Sequence, residues 1–411
     1  MATHDYVIAN QTGANTRSDL NNAFSAIVSN NSSATEPTTT YAFMWWADTA
    51  NDLLKQRNAA DSAWINILTL STGAPLGTLS SSLLSGALPA IDGSALLNLP
   101  GGGADGLFYK ADSSAVAFVK NGAGLDIKAG TKVWQLNGTT KEYASATAVT
   151  LPSMTNGTDY AIYVCDDDTI RADANFSAPT GYTTANSRKI GGFHYDLGGA
   201  ILEYSLWDLK FKPSAKDPRG MTLVANNFWA DIYLVGTDCD VNGTSKSGVT
   251  ICDGSSPAKI PALFGGNGST TYGSFKQYEA GELMSAYGKR LPTYQEFSSL
   301  AYGISGEATS VGSDQGTTQR NSAYTSKWGV EQSAGVMWQW GSDIVSNLSG
   351  GWQAQTEGRG SFYNTPYGAR LGGDWRDASG AGSRCMAFNY TLWSSGNYIG
   401  ARGCCDHLQL A

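Results

Sequence analysis

The sequence predicts a mainly β protein that ends in an α+β domain, and three observations carry that prediction. Charged residues are only 15% of 411, too few to solvate the outer faces of long helices. Short alternating apolar segments recur between turn signals: Ala115–Val119, Leu125–Lys128, Lys132–Leu136, Ala146–Leu151 and Tyr160–Val164, with Asn-Gly turns starting at Asn121, Asn137 and Asn156. Clear helix signals after residue 215 cluster between Phe275 and Gly303. The 49 Gly fit turns and ordered loops, and 12 Trp with 20 Tyr argue for packed structure rather than disorder.

At about 150 residues per domain the length suggests two to four domains, and composition marks four segments. Residues 1–70 form an N-terminal unit. Ser18 is read as a helix N-cap with Asp19 favouring the helix dipole; Leu20, Ala23, Phe24, Ile27 and Val28 then follow at helical spacing up to Ser29-Asn30-Asn31. Tyr41–Trp46 and Ala63–Leu68 read as two strands around a polar turn, Asp48–Ala60. So short an apolar stripe cannot bury itself in a monomer, which predicts packing against copies of the same chain or a larger assembly. Residues 71–103, rich in Ser, Leu, Gly, Ala and Pro, read as a linker or collar; Leu83, Leu84 and the run Leu88–Leu97 favour a collar with leucines buried between chains.

Residues 104–214 read as a β-sandwich. Asp166, Asp167 and Asp168 follow a strand, as a solvated turn or, alternatively, a calcium site. In 215–411 a helix is expected over Phe275–Tyr287 with Gly288 as its stop. Thr293 and Glu296 form a capping box before Phe297, Leu300 and Ala301, and Gly303 closes that helix. Beyond residue 305 the chain should be loop-rich but packed on Trp and Tyr anchors.

Charge and composition exclude several partners. A net charge of -8 and only 27 Lys+Arg leave no basic field for nucleic acid. No run of 18 apolar residues exists, so no membrane insertion is expected, and the opening MATHDYVIAN lacks the features of a secretory leader. Cys165, Cys239, Cys252, Cys385, Cys404 and Cys405 show no metal-ligand spacing and are expected as mostly reduced, buried thiols of a protein made in a cytoplasm, with a Cys239–Cys252 bridge as the alternative. Three His leave little material for a metal site or catalytic triad. No cofactor is expected, and a structural calcium or magnesium ion stays open.

Lys289–Phe297 resembles the helix start of the C-type-lectin-like fold shared by formylglycine-generating enzymes, and Ala334-Gly-Val-Met-Trp-Gln-Trp340 resembles its central strand. More specifically, Leu371-Gly-Gly-Asp-Trp375, Gly382-Ser-Arg384, Ile399–Leu408 and the upstream Lys259–Ser269 resemble the major tropism determinant family, trimeric phage receptor-binding proteins diversified by a retroelement. That resemblance covers residues 259–411. The opening 32 residues and the segment Leu88–Pro100 resemble virion-attachment and collar sequences of short-tailed phage fibres; residues 104–214 carry no specific resemblance.

The resemblance implies a trimeric tail-fibre protein on the virion, made in the host cytoplasm. Its N-terminus would bind phage tail or baseplate proteins, and its C-terminal lectin-like domain a host surface protein or glycan. The variable region falls at about 372–405, with variable positions Asp374, Arg376, Asp377, Ala378, Gly380, Ala387, Asn389, Tyr390, Ser394, Gly396, Tyr398 and Ile399. Diversification of AAC codons at adenines cannot produce Trp, Lys, Glu, Gln or Met, and none of the twelve positions holds one. Trp375, Arg384, Phe388 and Arg402 read as scaffold, because bulky aromatics and Arg in a polar region pack or pair. Asp406 or another loop acid is the expected partner of the arginines, and His407 is read as structural. Tyr390, Tyr398, Trp393 and Phe388 are expected as aromatic contacts or their rim.

An enzyme is disfavoured. Formylglycine chemistry needs a reactive cysteine pair, and no Cys lies between Gly372 and Arg384. Glycan cleavage needs two carboxylates facing a groove, and Asp374 and Asp377 fall at variable positions. A cellular, surface-displayed variable lectin-like protein is the alternative from another class.

Overall fold

The computed structural model describes residues 4–74, 107–239, 243–353 and 359–410. The chain divides into two compact units, Met1–Ala95 and Leu96–Ala411. Most of the expected collar at 71–103 lies outside the described residues.

In the first unit, α1 (Gly13–Val28) starts five residues before Ser18, with Thr12 as its N-cap residue. Asp19 is therefore inside the helix. Its carboxylate is used by His4 Nε2 at 2.8 Å and the Ala9 amide at 3.3 Å, which hold the preceding chain, rather than by the helix's own free N–H groups. Ala23 and Ala26 are buried, whereas Leu20, Phe24, Ile27 and Val28 remain exposed, Val28 to 84%. Three strands follow in an antiparallel meander, β1 (Trp45–Asp48), β2 (Leu53–Arg57) and β3 (Trp64–Thr69). The segment expected as a polar turn thus contains β2. Its cations make a strand workable: Lys55 pairs with buried Asp48 at 2.7 Å and sits over Trp46, and Arg57 sits over Trp64.

The second unit opens with β4 (Phe108–Tyr109), β5 (Phe118–Asn121), β6 (Gly124–Ile127), β7 (Thr131–Trp134), β8 (Thr140–Tyr143) and β9 (Thr147–Ala148), paired as two three-stranded sheets, β4-β7-β8 and β5-β6-β9. Next come β10 (Thr158–Cys165), β11 (Ile170–Asp173), β12 (Ser187–Tyr195), β13 (Trp207–Asp208), β14 (Phe211–Pro213), β15 (Met221–Val224) and β16 (Phe228–Asp231). Two helices follow, α2 (Gln277–Ala286) and α3 (Tyr294–Leu300), and then β17 (Trp338–Gln353), β18 (Phe362–Leu371), β19 (Met386–Thr391), β20 (Ile399–Gly400) and β21 (Cys404–Gln409).

One core lies between the small sheets and β10–β12. Tyr160, Ile162 and Val164 of β10 pack with Phe118, Leu125 and Ile127. The alternate residues Ala161, Tyr163 and Cys165 are equally buried, under Phe176 and Tyr182. Asp166, Asp167 and Asp168 turn from β10 into β11. Protein groups use each carboxylate: Leu136 N donates to Asp166, Tyr182 Oη to Asp167, and Gln135 Nε2 to Asp168, which also pairs with Lys141.

An eight-stranded sheet of order β11-β10-β12-β13-β14-β21-β16-β15 runs across residue 214. Its C-terminal strand lies between β14 and β16, with Pro213 opposite His407 and Trp229 opposite Cys405. His407 is held there by the Trp229 Nε1–H, which donates to Nδ1 at 2.9 Å. Lys110–Asp208 and Lys289–Asp231 are buried ion pairs on the same sheet.

Both lectin-like helices sit where their caps place them. The Thr293 hydroxyl accepts from Glu296 N and the Glu296 carboxylate accepts from Thr293 N. Gly288, at φ 72°, follows α2. All six cysteines are free thiols, so Cys239 and Cys252 are not bridged.

Candidate functional site

The C-terminal sheet β19-β18-β17-β20 supports the region singled out in the sequence. β17 and β18 form a long antiparallel hairpin; β20 joins in parallel, with Trp338 opposite Ile399. Between β18 and β19 the register runs from Gly368↔Tyr390 to Arg370↔Ala387, so three steps on β19 match two on β18. That bulge cancels the usual alternation. Ala387 and Tyr390 consequently pack on the same cluster as Trp338 and Tyr398, whereas Phe388 packs on a different one with Phe297 and Leu371.

A cluster of tyrosines and guanidiniums assembles there. Tyr390 and Tyr398 join hydroxyl to hydroxyl at 2.8 Å. The Arg370 guanidinium lies 3.6 Å from the Tyr390 ring centroid and 4.6 Å from that of Trp338. Arg376 lies 4.2 Å from the Tyr398 ring and 5.2 Å from the Trp375 ring. Arg370 Nη2 donates to Asn389 Oδ1 at 2.6 Å. Arg376 donates through Nε and Nη2 to Asp374, and that bond holds its pKa above the ordinary value. Burial acts oppositely on Arg370 and lowers its pKa. Burial, then the Tyr390 contact, pushes the Tyr398 hydroxyl up.

The other expected positions divide by burial. Ala378, Gly380 and Asn389 are exposed, and Asp377, Ala387, Ser394 and Gly396 half-buried. Asp377 accepts from Asp374 N at 2.7 Å, and Ser394 Oγ meets Thr391 Oγ1 at 2.8 Å. Gly396 leaves no room for a side chain, since an added Cβ would stand 2.7 Å from the Tyr398 ring. Asp374 and Ile399 do not reach the surface, being 1% and 0% exposed. Asp374 is drawn inward because its carboxylate receives the Arg376 amide and guanidinium, and Ile399 because β20 pairs with the central strand β17.

Scaffold positions also separate. Arg402 is fully buried and donates to the carbonyls of Asp231, Ile232, Glu331 and Gln332, with Nε on Gln339 Oε1 at 3.1 Å. Its partners are thus backbone oxygens rather than Asp406, which pairs with Arg290. The strand end and loops at 231–232 and 331–332 offer carbonyls, and five guanidinium N–H groups can satisfy several at once. Arg384, expected to pair, has an exposed side chain because it sits in the turn between Gly382 and β19. Trp375 and Phe388 are half-buried.

Residue spacing left Arg370 unnoticed. The available signal was a lone Arg in an otherwise small and apolar strand end, Gly368-Ala-Arg-Leu371. Beyond it the β17–β18 hairpin exposes Leu348, Trp352 and Tyr363. Phe362 at the start of β18 stacks on Trp393, just after β19, at 5.9 Å. The assembly offers aromatic faces, hydroxyls and guanidiniums for recognition. Thiol nucleophilicity is not favoured, since burial pushes Cys385 up to about 11. Among the described residues no group of three or more His, Cys, Asp or Glu is placed to hold a metal ion, and no helix is long and apolar enough to cross a membrane.

A family model described as the Mtd second domain matches residues 116–207, the part of the chain that carried no specific resemblance. A tail fiber receptor-binding protein of Bordetella phage BPP-1 is 49% identical over 330 residues, which cover 74% of this chain and 85% of that protein. Two solved structures, the Major Tropism Determinant U1 and M1 variants, superpose with TM-scores of 0.71 and 0.72 at 43% and 44% identity. Each match covers 96% of the solved chain, and 90% and 91% of this one.

Proposed function

The chain belongs to the major tropism determinant family of phage tail-fibre receptor-binding proteins, and from that premise we propose that it meets the host surface through the tyrosine–guanidinium cluster and its surrounding loops. The supporting observation is the joint placement of Asn389, Tyr390 and Tyr398 over Arg370, on a sheet fixed from beneath by Arg402. Half-exposed Tyr supplies large contact area at low entropic cost, while Ser, Gly and Asn adapt around it. Arg376, Asp377, Ala378, Gly380, Ala387 and Ser394 complete the face as positions open to retroelement diversification, and Gly396 can vary only if the Tyr398 ring shifts. Asp374 and Ile399 shape it from below.

The protein acts by binding and not by catalysis. It works as a homotrimer whose N-terminal unit attaches to the phage tail. The exposed Leu20, Phe24, Ile27 and Val28 of α1 support that assembly, since an apolar stripe left bare on a short helix needs cover. Three faces per trimer raise weak single contacts to useful avidity. Cell binding by the purified chain tests the face: Tyr390→Ala with Tyr398→Ala should abolish adsorption at a temperature well below the variant's own lowered melting point, and retained adsorption overturns the assignment. Light scattering should give three chains per particle; a stable monomer at micromolar concentration refutes the assembly. A near-copy of the codons for 372–405 with adenines at the variable positions, beside a reverse transcriptase, is the genomic test of diversification.

A further inference from the structure

Arg370 is a buried cation whose best hydrogen-bonding edge is half empty. It is 4% exposed, and its Nε–H has no partner. Nε and Nη2 lie on one edge of the guanidinium and can be spanned by the two oxygens of a carboxylate. This protein uses that edge twice: Arg376 takes both oxygens of Asp374, and Arg219 both oxygens of Asp217. At Arg370 the same edge holds only the neutral Asn389 Oδ1, on Nη2.

Nε is also unpartnered in Arg171 and Arg188, but those residues are only half-buried, and the buried Lys110, Lys289 and Arg402 are satisfied. Lys110 and Lys289 each have a carboxylate, and Arg402 has four carbonyls. The acids nearest Arg370 are engaged elsewhere, Asp374 by Arg376 and Asp377 by the Asp374 amide. Stacking between Trp338 and Tyr390 offsets part of the desolvation but supplies no acceptor to Nε. Asn389, whose Oδ1 sits on this edge, and Tyr390, whose ring stacks on the guanidinium face, are proposed variable positions, whereas Arg370 lies on the supporting strand.

We propose that Arg370 is a constant anion subsite of the binding face, whose Nε–Nη2 edge takes a carboxylate group of the host-surface ligand while the residues at 389 and 390 set access to it. The inference rests on the face assignment made above. A carboxylate there displaces the Asn389 carbonyl from Nη2 and fills the free Nε–H, giving the buried charge the partner it lacks.

Two variants at one position separate this role from a structural one. Asn389→Asp puts a carboxylate on the edge from within, and Asn389→Ala leaves the edge open. With the full chain and host cells, Asn389→Asp should bind more than tenfold more weakly than Asn389→Ala, which lacks the same native amide, and should melt no lower than it. Cells whose surface carboxylates have been converted to neutral amides with a carbodiimide and ethanolamine should lose more than tenfold for the parent chain. That loss would be specific, because the protein's net charge of -8 makes neutralised cells less repulsive. Parent binding unaffected by amidation, or Asn389→Asp binding as well as Asn389→Ala, overturns the subsite.

Ser394→Trp provides the control for the face itself. If it abolishes binding while amidation and Asn389→Asp do nothing, the anion subsite alone fails. If it binds like the parent, the face assignment fails and the subsite with it. Protease-stripped cells then identify the source. Amidation-sensitive binding that protease removes assigns the carboxylate to a surface protein, and binding that survives assigns it to an acidic polysaccharide; either supports the subsite.

Discussion

The Tyr390 and Tyr398 hydroxyls meet at 2.8 Å, and each ring carries a guanidinium, Arg370 on the first and Arg376 on the second. The two residues come from a bulged strand and from the loop that leads into β20, so one contact ties together the two walls of the binding face.

Because the pair acts as a unit, its members should not contribute independently. Tyr390→Phe and Tyr398→Phe each remove one hydroxyl from the shared bond, and the double variant should cost less than the sum of the singles. A double-mutant cycle on melting should show a coupling of about 0.5–1.5 kcal/mol. Additive effects would mean the contact is not formed in solution.

Arg402 should be the least replaceable residue of the frame. Arg402→Met leaves four buried carbonyls and Gln339 short of a donor. A loss of about 3–5 kcal/mol is expected from breaking so buried a polar centre, read as a large drop in denaturation midpoint and soluble yield. A variant that melts like the parent would show that the carbonyls find other partners.

Burial divides the variable positions into two energetic classes. Ile399→Ala should cost about 2–5 kcal/mol, because it empties a fully buried site. Ala378→Gly should stabilise by about 0.5–1 kcal/mol, since Ala378 is held at φ 44°, where a Cβ is strained. Chemical denaturation of both reads the difference. Equal effects would remove the distinction between face and floor.

His407 gives the fold a dependence on pH. Burial, then nearby Lys110, lowers its pKa below 6.5, and its Nδ1 must stay unprotonated to accept from Trp229. Above pH 6.5 the histidine is neutral in both folded and unfolded chains, so its contribution is complete. As pH falls below that value the unfolded chain gains a proton that the fold refuses, and stability declines until the folded-state pKa has been passed. Melting followed from about pH 8 to about pH 5 should show this component in the parent and not in His407→Gln. An identical profile in both would assign the dependence to other groups.

Several features were readable from local sequence. The capping box at Thr293 and Glu296 places α3, and Gly288 ends α2, because caps and stops depend on residues within one turn. Motifs from Lys259 to Leu408 identified the lectin-like domain, and the positions from Arg376 to Tyr398 contain the aromatic cluster. Elsewhere long-range contacts prevailed. Asp19 serves His4 and Ala9 rather than a helix start, and β2 forms from polar residues because Trp46 and Trp64 lie beside its cations.

Tertiary structure alone decided which residues share a face. The bulge in β19 sets Ala387 beside Tyr390, parallel pairing with β17 buries Ile399, and the partners of Arg402 lie up to 171 residues away. Composition and short-range pattern determine that a strand or a cap forms, since those energies arise between near neighbours. Register and the pairing of buried charge depend on segments that meet only when the chain is folded, so Arg370 becomes visible as a buried cation with a free Nε–H only there.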